Sequence, residues 1–202
     1  MRVTAELRWF WQGSPAPAFK EWFVATGPAW PAAVEGDIRT DEYLRDPDQN
    51  EVGIKKRGGA AVEVKGLVAQ RASMLGLAGC AAPVELWAKW RSKALKLPAS
   101  ERIAIDKKRW MRRCAVVAGR AAEIQGDAPA TRSSGCDVEL TLLTLPDGVR
   151  WWTFAFEAFG ALDQIETDLA ATVALMESRR PPVIPPGQAA GYPAWLARLL
   201  VE

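Results

Sequence analysis

Residues 85–113 read ELWAKWRSKALKLPASERIAIDKKRWMRR and hold ten of the chain's 26 Lys and Arg residues against three acids. The cations recur at spacing two. Glu85, Trp87, Lys89, Arg91 and Lys93 fall on one face of an extended segment, and Ile105, Lys107, Arg109, Met111 and Arg113 on one face of another, because side chains alternate across a strand. Taken as neighbours in a sheet, the two segments would set like charges side by side and repel unless something anionic lay between them. The stretch therefore points to strands arranged around an anion.

Short alternating segments continue outward from it. Residues 2–11, RVTAELRWFW, set Val3, Ala5, Leu7, Trp9 and Trp11 against Arg2, Thr4, Glu6, Arg8 and Phe10, a strand with one polar face that aims Glu6 and Arg8 the same way. Residues 38–45, 51–57 and 61–68 predict three more strands in a meander, turning at 46–50 and at Gly58-Gly59. Further strands are predicted near 84–93, 102–116, 136–145 and 149–158, the last two joined by Pro146-Asp147-Gly148. Residues 13–36 read as a loop with a small covering helix through Phe19, Trp22 and Phe23, 69–82 as helix or loop, and 119–135 as a loop. Beyond Gly160 the period changes: Leu162, Ile165, Leu169, Val173 and Met176 predict an amphipathic helix, with Asp163, Glu166 and Asp168 on its wet face. A Pro-rich link then leads to a short terminal helix carrying Trp195, Leu196, Leu199 and Leu200.

At 202 residues and 49% hydrophobic content the chain suits one well-buried core. Its net charge is only +2, so anion binding has to come from local segregation, and residues 137–169 hold seven acids against the single base Arg150. With no His and three scattered Cys, a zinc site of the usual kind and Ser-His-Asp or Cys-His catalysis are excluded. The cysteines read as small buried thiols in a reducing cytosol. No apolar run approaches membrane-spanning length, and the expectation is a cytoplasmic protein with no membrane partner.

The fold expectation is α+β: an antiparallel, eight-stranded closed barrel or tunnel with helices packed outside. Large aromatics on the apolar faces (Trp9, Trp11, Trp110, Trp152, Phe154, Phe156) need covering, whereas the polar faces are dominated by Lys, Arg and Glu rather than Ser, Asn or Gln. A plain sandwich with solvated polar faces is the alternative. The lone carboxylates Glu6, Glu63, Glu139 and Glu157, each flanked by apolar residues, favour the barrel.

The order of motifs resembles the CYTH superfamily, the triphosphate tunnel metalloenzymes. TAELR at 4–8 is similar to that family's ExExK strand and TDEYL at 40–44 to its D-x-Y-F/L strand. GIKKRGG at 53–59 resembles the Arg-rich strand, VEVKG at 62–66 the next, and DKKR at 106–109 the later basic strand. DVELT at 137–141 and FAFEAFG at 154–160 resemble the acidic strands. The resemblance covers residues 1–178, taken as the tunnel domain, with residues 179–202 packing on it. It implies Mg²⁺ or Mn²⁺ held by Glu6, Glu139 and Glu157, catalysis by Glu6 and Glu157, and a phosphate side lined by Arg8, Lys55, Arg57, Lys65, Lys89, Arg91, Lys107 and Arg109. The chain departs from the pattern at Thr4 and Arg8, which replace a glutamate and a lysine.

Several Lys and Arg aimed into a partly dry tunnel bind a triphosphate, with its about four negative charges, through charge-assisted bonds. A hard cation prefers carboxylate and phosphate oxygens. Three functions follow: a metal-dependent hydrolase of a triphosphate-bearing small molecule, a non-catalytic receptor for a polyphosphorylated ligand, or a nucleic-acid or protein interaction module using Trp87, Trp90 and Trp110 as stacking platforms. The loss of a carboxylate at Thr4 favours the second over the first, and the modest net charge argues against the third. The many aromatic faces leave room for a homodimer.

Overall fold

In a computed structural model, which describes residues 1–13, 17–27, 30–46, 48–57, 61–125, 132–183 and 187–201, the alternating segments become strands of a single sheet. In chain order the elements are β1 (Arg2–Gln12), α1 (Pro17–Val24), β2 (Val34–Glu35), β3 (Arg39–Leu44), β4 (Val52–Arg57), β5 (Val62–Leu77) and β6 (Cys80–Ser92). They continue with β7 (Arg102–Val117), β8 (Arg120–Glu123), β9 (Gly135–Thr144), β10 (Arg150–Phe159), α2 (Ile165–Ser178), β11 (Gln188–Ala189) and α3 (Tyr192–Leu199). The sheet runs β10-β9-β7-β3-β4-β5-β6-β1, and β1 pairs again with β10, so eight strands close into an antiparallel barrel. The short β2 and β8 add to β7, and β11 adds to β1.

The two basic strands are not neighbours. β6 lies between β5 and β1, and β7 between β9 and β3, so three strands separate them in either direction and they face each other across the lumen. Repulsion explains the placement: cations too crowded for adjacent ladders are tolerated at a barrel diameter, with acid-bearing strands on both sides.

Two segments read as helix or loop are strands. Residues 69–77 extend β5, and residues 80–83 begin β6, across a two-residue turn at Ala78 and Gly79, whose φ values are 56° and 86°. Residues 120–123 form β8, which folds back on β7 across Ala118 and Gly119 at φ 49° and 72°. Both are primed hairpin turns, with left-handed backbone at both central positions. Bulges between Leu67 and Ala69 and between Gln70 and Met74 bend the long β5. The turn at Pro146-Asp147-Gly148 is as read, with Leu145 and Val149 paired through their backbones. The Gly58-Gly59 turn lies outside the described residues. On α2, Asp168 is buried rather than wet, and Asp163 precedes the helix.

The main apolar core sits outside the barrel. Trp9, Phe154 and Phe156 point outward beneath Phe19 and Phe23 of α1 and Leu169, Val173 and Met176 of α2. Phe19 and Phe23 meet Phe154 edge-on, at 5.1 and 5.7 Å between ring centres. Each fully buried Phe or Leu here contributes about 1.5–3 kcal/mol, so stability is supplied largely on the outer face and the lumen is released for charge. The aromatic faces are thereby covered within one chain.

A second core fills one end of the lumen. Trp195 of α3 stacks on Phe10 at 4.5 Å and an interplanar angle of 3°, and Tyr192 stacks on Tyr43 at 5.6 Å. Ile105, Leu143, Trp151 and Leu196 complete the layer. β11 docks this segment against Trp9 and Phe10, and the backbone N–H of Ala190 donates to the Arg8 carbonyl at 3.1 Å. No described helix is long and apolar enough to cross a membrane.

The seat of α3 depends on Gly191, where an added Cβ would lie 2.5 Å from Trp87 Cζ2. Gly191→Ala is expected to destabilise the protein by about 1–3 kcal/mol through overpacking, read as a lower urea midpoint. An unchanged midpoint would show that α3 is not seated against Trp87.

Candidate functional site

Alternation on closed strands sends every second side chain inward, and the inward faces of β1, β3–β7, β9 and β10 carry most of the lumen charge. They line one cavity of about 740 Å³. All eight cations expected on the phosphate side border it, from Lys107 and Arg8, which are buried, to Arg91, whose side chain is 69% exposed. Glu6, Glu139 and Glu157 border it too. Counting the lining side chains, ten Lys and Arg face six carboxylates, a formal surplus of four that the buried Asp41 lowers to three.

The acids are spaced so that each neutralises cations from neighbouring strands. Asp41 on β3 is fully buried; its carboxylate meets Arg39 Nε at 2.8 Å, Lys55 and Lys107 Nζ at 3.5 Å each, and Arg57 Nε at 3.8 Å. Glu63 on β5 holds Arg91 at 2.7 Å, Lys55 at 3.4 Å and Arg57 at 3.5 Å. Opposite, Glu6 accepts from Lys65 at 2.6 Å and Lys89 at 2.8 Å, and Lys89 also reaches Glu157 at 2.7 Å. Glu139 meets Arg109 at 3.1 Å and Arg8 at 3.7 Å.

Burial and pairing compete at every group. For Asp41, burial would raise the carboxyl, but Lys107, Lys55 and Arg39 hold it down at about 2. Burial would likewise raise Glu139, and Arg8, Arg109 and Lys107 bring it to about 2. Glu6 is held well below the usual carboxylate range against its own burial, by Lys65, Lys89 and Arg8. Among the lysines, burial pulls Lys65 down to about 8 despite Glu6. Burial and then Lys55 push Lys107 well below its ordinary value. Lys89 moves the other way because Glu157 and Glu6 together outweigh its burial.

The donor set does not suit a resident divalent cation. Both Glu6 oxygens are occupied, one by Lys65, the other by Lys89 and by the Thr4 hydroxyl, which donates at 2.7 Å. Among the described residues no three Cys, Asp or Glu side chains converge in a way that could hold a metal ion. Thr4, at the position where the resembled strand carries a glutamate, spends its hydroxyl on Glu6 instead of adding a carboxylate.

The cations and the four lone carboxylates singled out in the sequence, Glu6, Glu63, Glu139 and Glu157, line this cavity, whereas Asp41 and Tyr43, quoted only within TDEYL, and Arg39 and Tyr192 were given no site role. Asp41 and Arg39 share the parity of Tyr43 on β3, and that parity was the available signal. The proposed stacking platforms are largely inaccessible: Trp87 and Trp110 are buried, with their indole N–H groups donating to Glu85 and Glu35, and Trp90 is 42% exposed. Comparison of the sequence with protein-family models and with curated proteins finds no match.

The depressed carboxyls make stability acid-sensitive. Folded values near 2 for Asp41 and Glu139, against 3.8 and 4.5 ordinarily, mean that each contributes stability above about pH 4.5 and loses it as pH falls toward 2. The loss is on the order of 2–3 kcal/mol per group. Asp41→Asn, which leaves its cations uncompensated, is expected to reduce stability by about 3–5 kcal/mol at pH 7 and to flatten the acid limb. Urea titrations across pH 2–7 check both. A flat profile in the wild type would contradict the pairing.

Proposed function

We propose that the lumen binds a compact polyanion, a small molecule carrying a linear chain of linked phosphates, and that it does so as a receptor without a resident metal. The observation that carries this reading is the cationic surplus facing one cavity, open at its Arg91 end, in which Asp41, Glu6, Glu63, Glu139 and Glu157 are already paired with cations. A triphosphate brings about four negative charges in acceptor-only oxygens, which matches that surplus in sign and size. An eight-stranded barrel has an interior wide enough for one small ligand. The closed antiparallel barrel also agrees with the resemblance to the triphosphate tunnel enzymes, although such a barrel does not by itself identify that family. Metal-dependent hydrolysis through Glu6 and Glu157 is the weaker reading, because both carboxylates are bound to Lys89 and both Glu6 oxygens already accept from protein donors.

Sodium tripolyphosphate in the presence of EDTA is the direct probe. Binding is expected, with the thermal midpoint raised by several degrees at about 100 times Kd, where ligand adds roughly 2.7 kcal/mol. No phosphate is released when Mg²⁺ or Mn²⁺ replaces EDTA. Release at a steady rate would restore the hydrolase reading, and absence of any shift would remove the polyanion. Binding should also take up protons between pH 8 and 10.5, since an incoming anion restores charge to Lys65 and Lys107, both lowered in the free protein. Calorimetry in buffers of different ionisation enthalpy reads that uptake, and proton release would contradict it.

A further inference from the structure

The lumen changes character along its axis, from ion pairs at the Arg91 end to aromatic surface at α3, and Tyr192 stands at the boundary. Its ring packs edge-on against Phe10 at 5.3 Å and Trp195 at 5.8 Å and lies flat against Tyr43. Its hydroxyl is buried yet finds no hydrogen-bond partner, a rare condition for a polar atom inside a folded protein. Tyr192 lines the charged cavity, and burial raises its phenol above the ordinary value, with Arg8 opposing.

Two cations lie over the Tyr192 ring beside it. The Arg8 guanidinium lies 4.7 Å from the Tyr192 ring centre and Lys107 Nζ lies 3.9 Å from it. Arg8 is nine-tenths buried; its Nη1 donates to Thr153 at 3.2 Å, and its Nε has no partner. Lys107 Nζ donates to the Tyr43 hydroxyl and lies 3.5 Å from an Asp41 oxygen. Glu139 reaches Arg8 only at 3.7 Å and Asp41 reaches Lys107 only at 3.5 Å, because both are drawn closer to other cations, Arg109 at 3.1 Å and Arg39 at 2.8 Å, and neither satisfies the Tyr192 hydroxyl or Arg8 Nε. What this corner lacks is an acceptor. A tetrahedral oxyanion has oxygens pointing in several directions and no proton to donate, so it satisfies donors converging from β1, β7 and α3 together.

From this geometry we infer that Arg8, Lys107 and Tyr192 form the innermost seat of the lumen, holding the terminal phosphoryl group of the ligand with the Tyr192 hydroxyl as a neutral donor. The inference rests on the polyanion reading above and adds an orientation to it: phosphate end inward against α3, and any organic end group outward near Arg91. It also gives the terminal segment, which lies beyond the region resembling the tunnel enzymes, a direct part in recognition.

Tyr192→Phe keeps the ring and its stacking and removes only the hydroxyl. Calorimetric titration of the full chain with pyrophosphate and with tripolyphosphate, in EDTA, is expected to show affinity lowered about tenfold or more for both ligands. The thermal midpoint of the unliganded variant should be unchanged or raised, because an unpartnered buried hydroxyl has been removed. Arg91→Ala, at the open end, should weaken tripolyphosphate more than pyrophosphate. Equal affinity of Tyr192→Phe and wild type for both ligands overturns the seat while leaving the polyanion reading intact. A lowered midpoint in the unliganded variant would assign Tyr192 a packing role and likewise overturn it. If wild type binds neither ligand, the polyanion reading itself falls and takes this inference with it.

Discussion

Mutual repulsion among cations turned into a closed cylinder is the constraint around which this structure is organised. Ten Lys and Arg side chains border one lumen, and two of the strands that bring them carry the densest positive charge in the sequence. The barrel separates those two strands by three on either side and inserts carboxylates into both gaps: Asp41 and Glu63 on one side, Glu6, Glu139 and Glu157 on the other. Burial makes each charge expensive, and pairing offsets the expense only where geometry is good. The fully buried Asp41, with four cations around it, shows how far the compensation goes. Such a lumen contributes little net stability, so the outer aromatic core beneath α1 and α2 has to supply it.

Incomplete compensation is where function enters. If acids and bases balanced, the lumen would be a self-satisfied ion network; instead positive charge remains in excess and three lysines, the buried Lys107 and the partly buried Lys55 and Lys65, have lost part of their proton affinity. An anion entering the cavity relieves both conditions together. Glu6 shows the acids at work inside the lumen, since its oxygens accept from Lys65, Lys89 and the Thr4 hydroxyl. α3 closes one end of the lumen with aromatic rings, and Arg8 and Lys107 lie against the ring of Tyr192 there.

Much of this was legible because period two is an unambiguous signal when polar and apolar residues differ sharply. Residues 2–11 separate the charged, lumen-facing side of β1 from its apolar outer side, and the same parity located Lys107, Arg109, Glu139 and Glu157 on the inside. The hairpins at Ala78-Gly79 and Ala118-Gly119 escaped because Ala is a poor marker of left-handed backbone; Asn or Asp there would have announced the turn. The outer half of β5, rich in small and exposed residues, carries no alternation strong enough to read. Strand order was also hidden, since adjacency of β6 and β7 in sequence says nothing about their separation around a barrel. Asp41 and Tyr192 were missed for a related reason: their importance lies in what converges on them from other strands.

A crystal structure of the protein grown with tripolyphosphate tests the central claim most directly. The account predicts phosphate density inside the barrel, with oxygens within hydrogen-bond distance of cations from both β6 and β7. Density confined to the outer surface, with the lumen ion pairs intact and no phosphate among them, would contradict it.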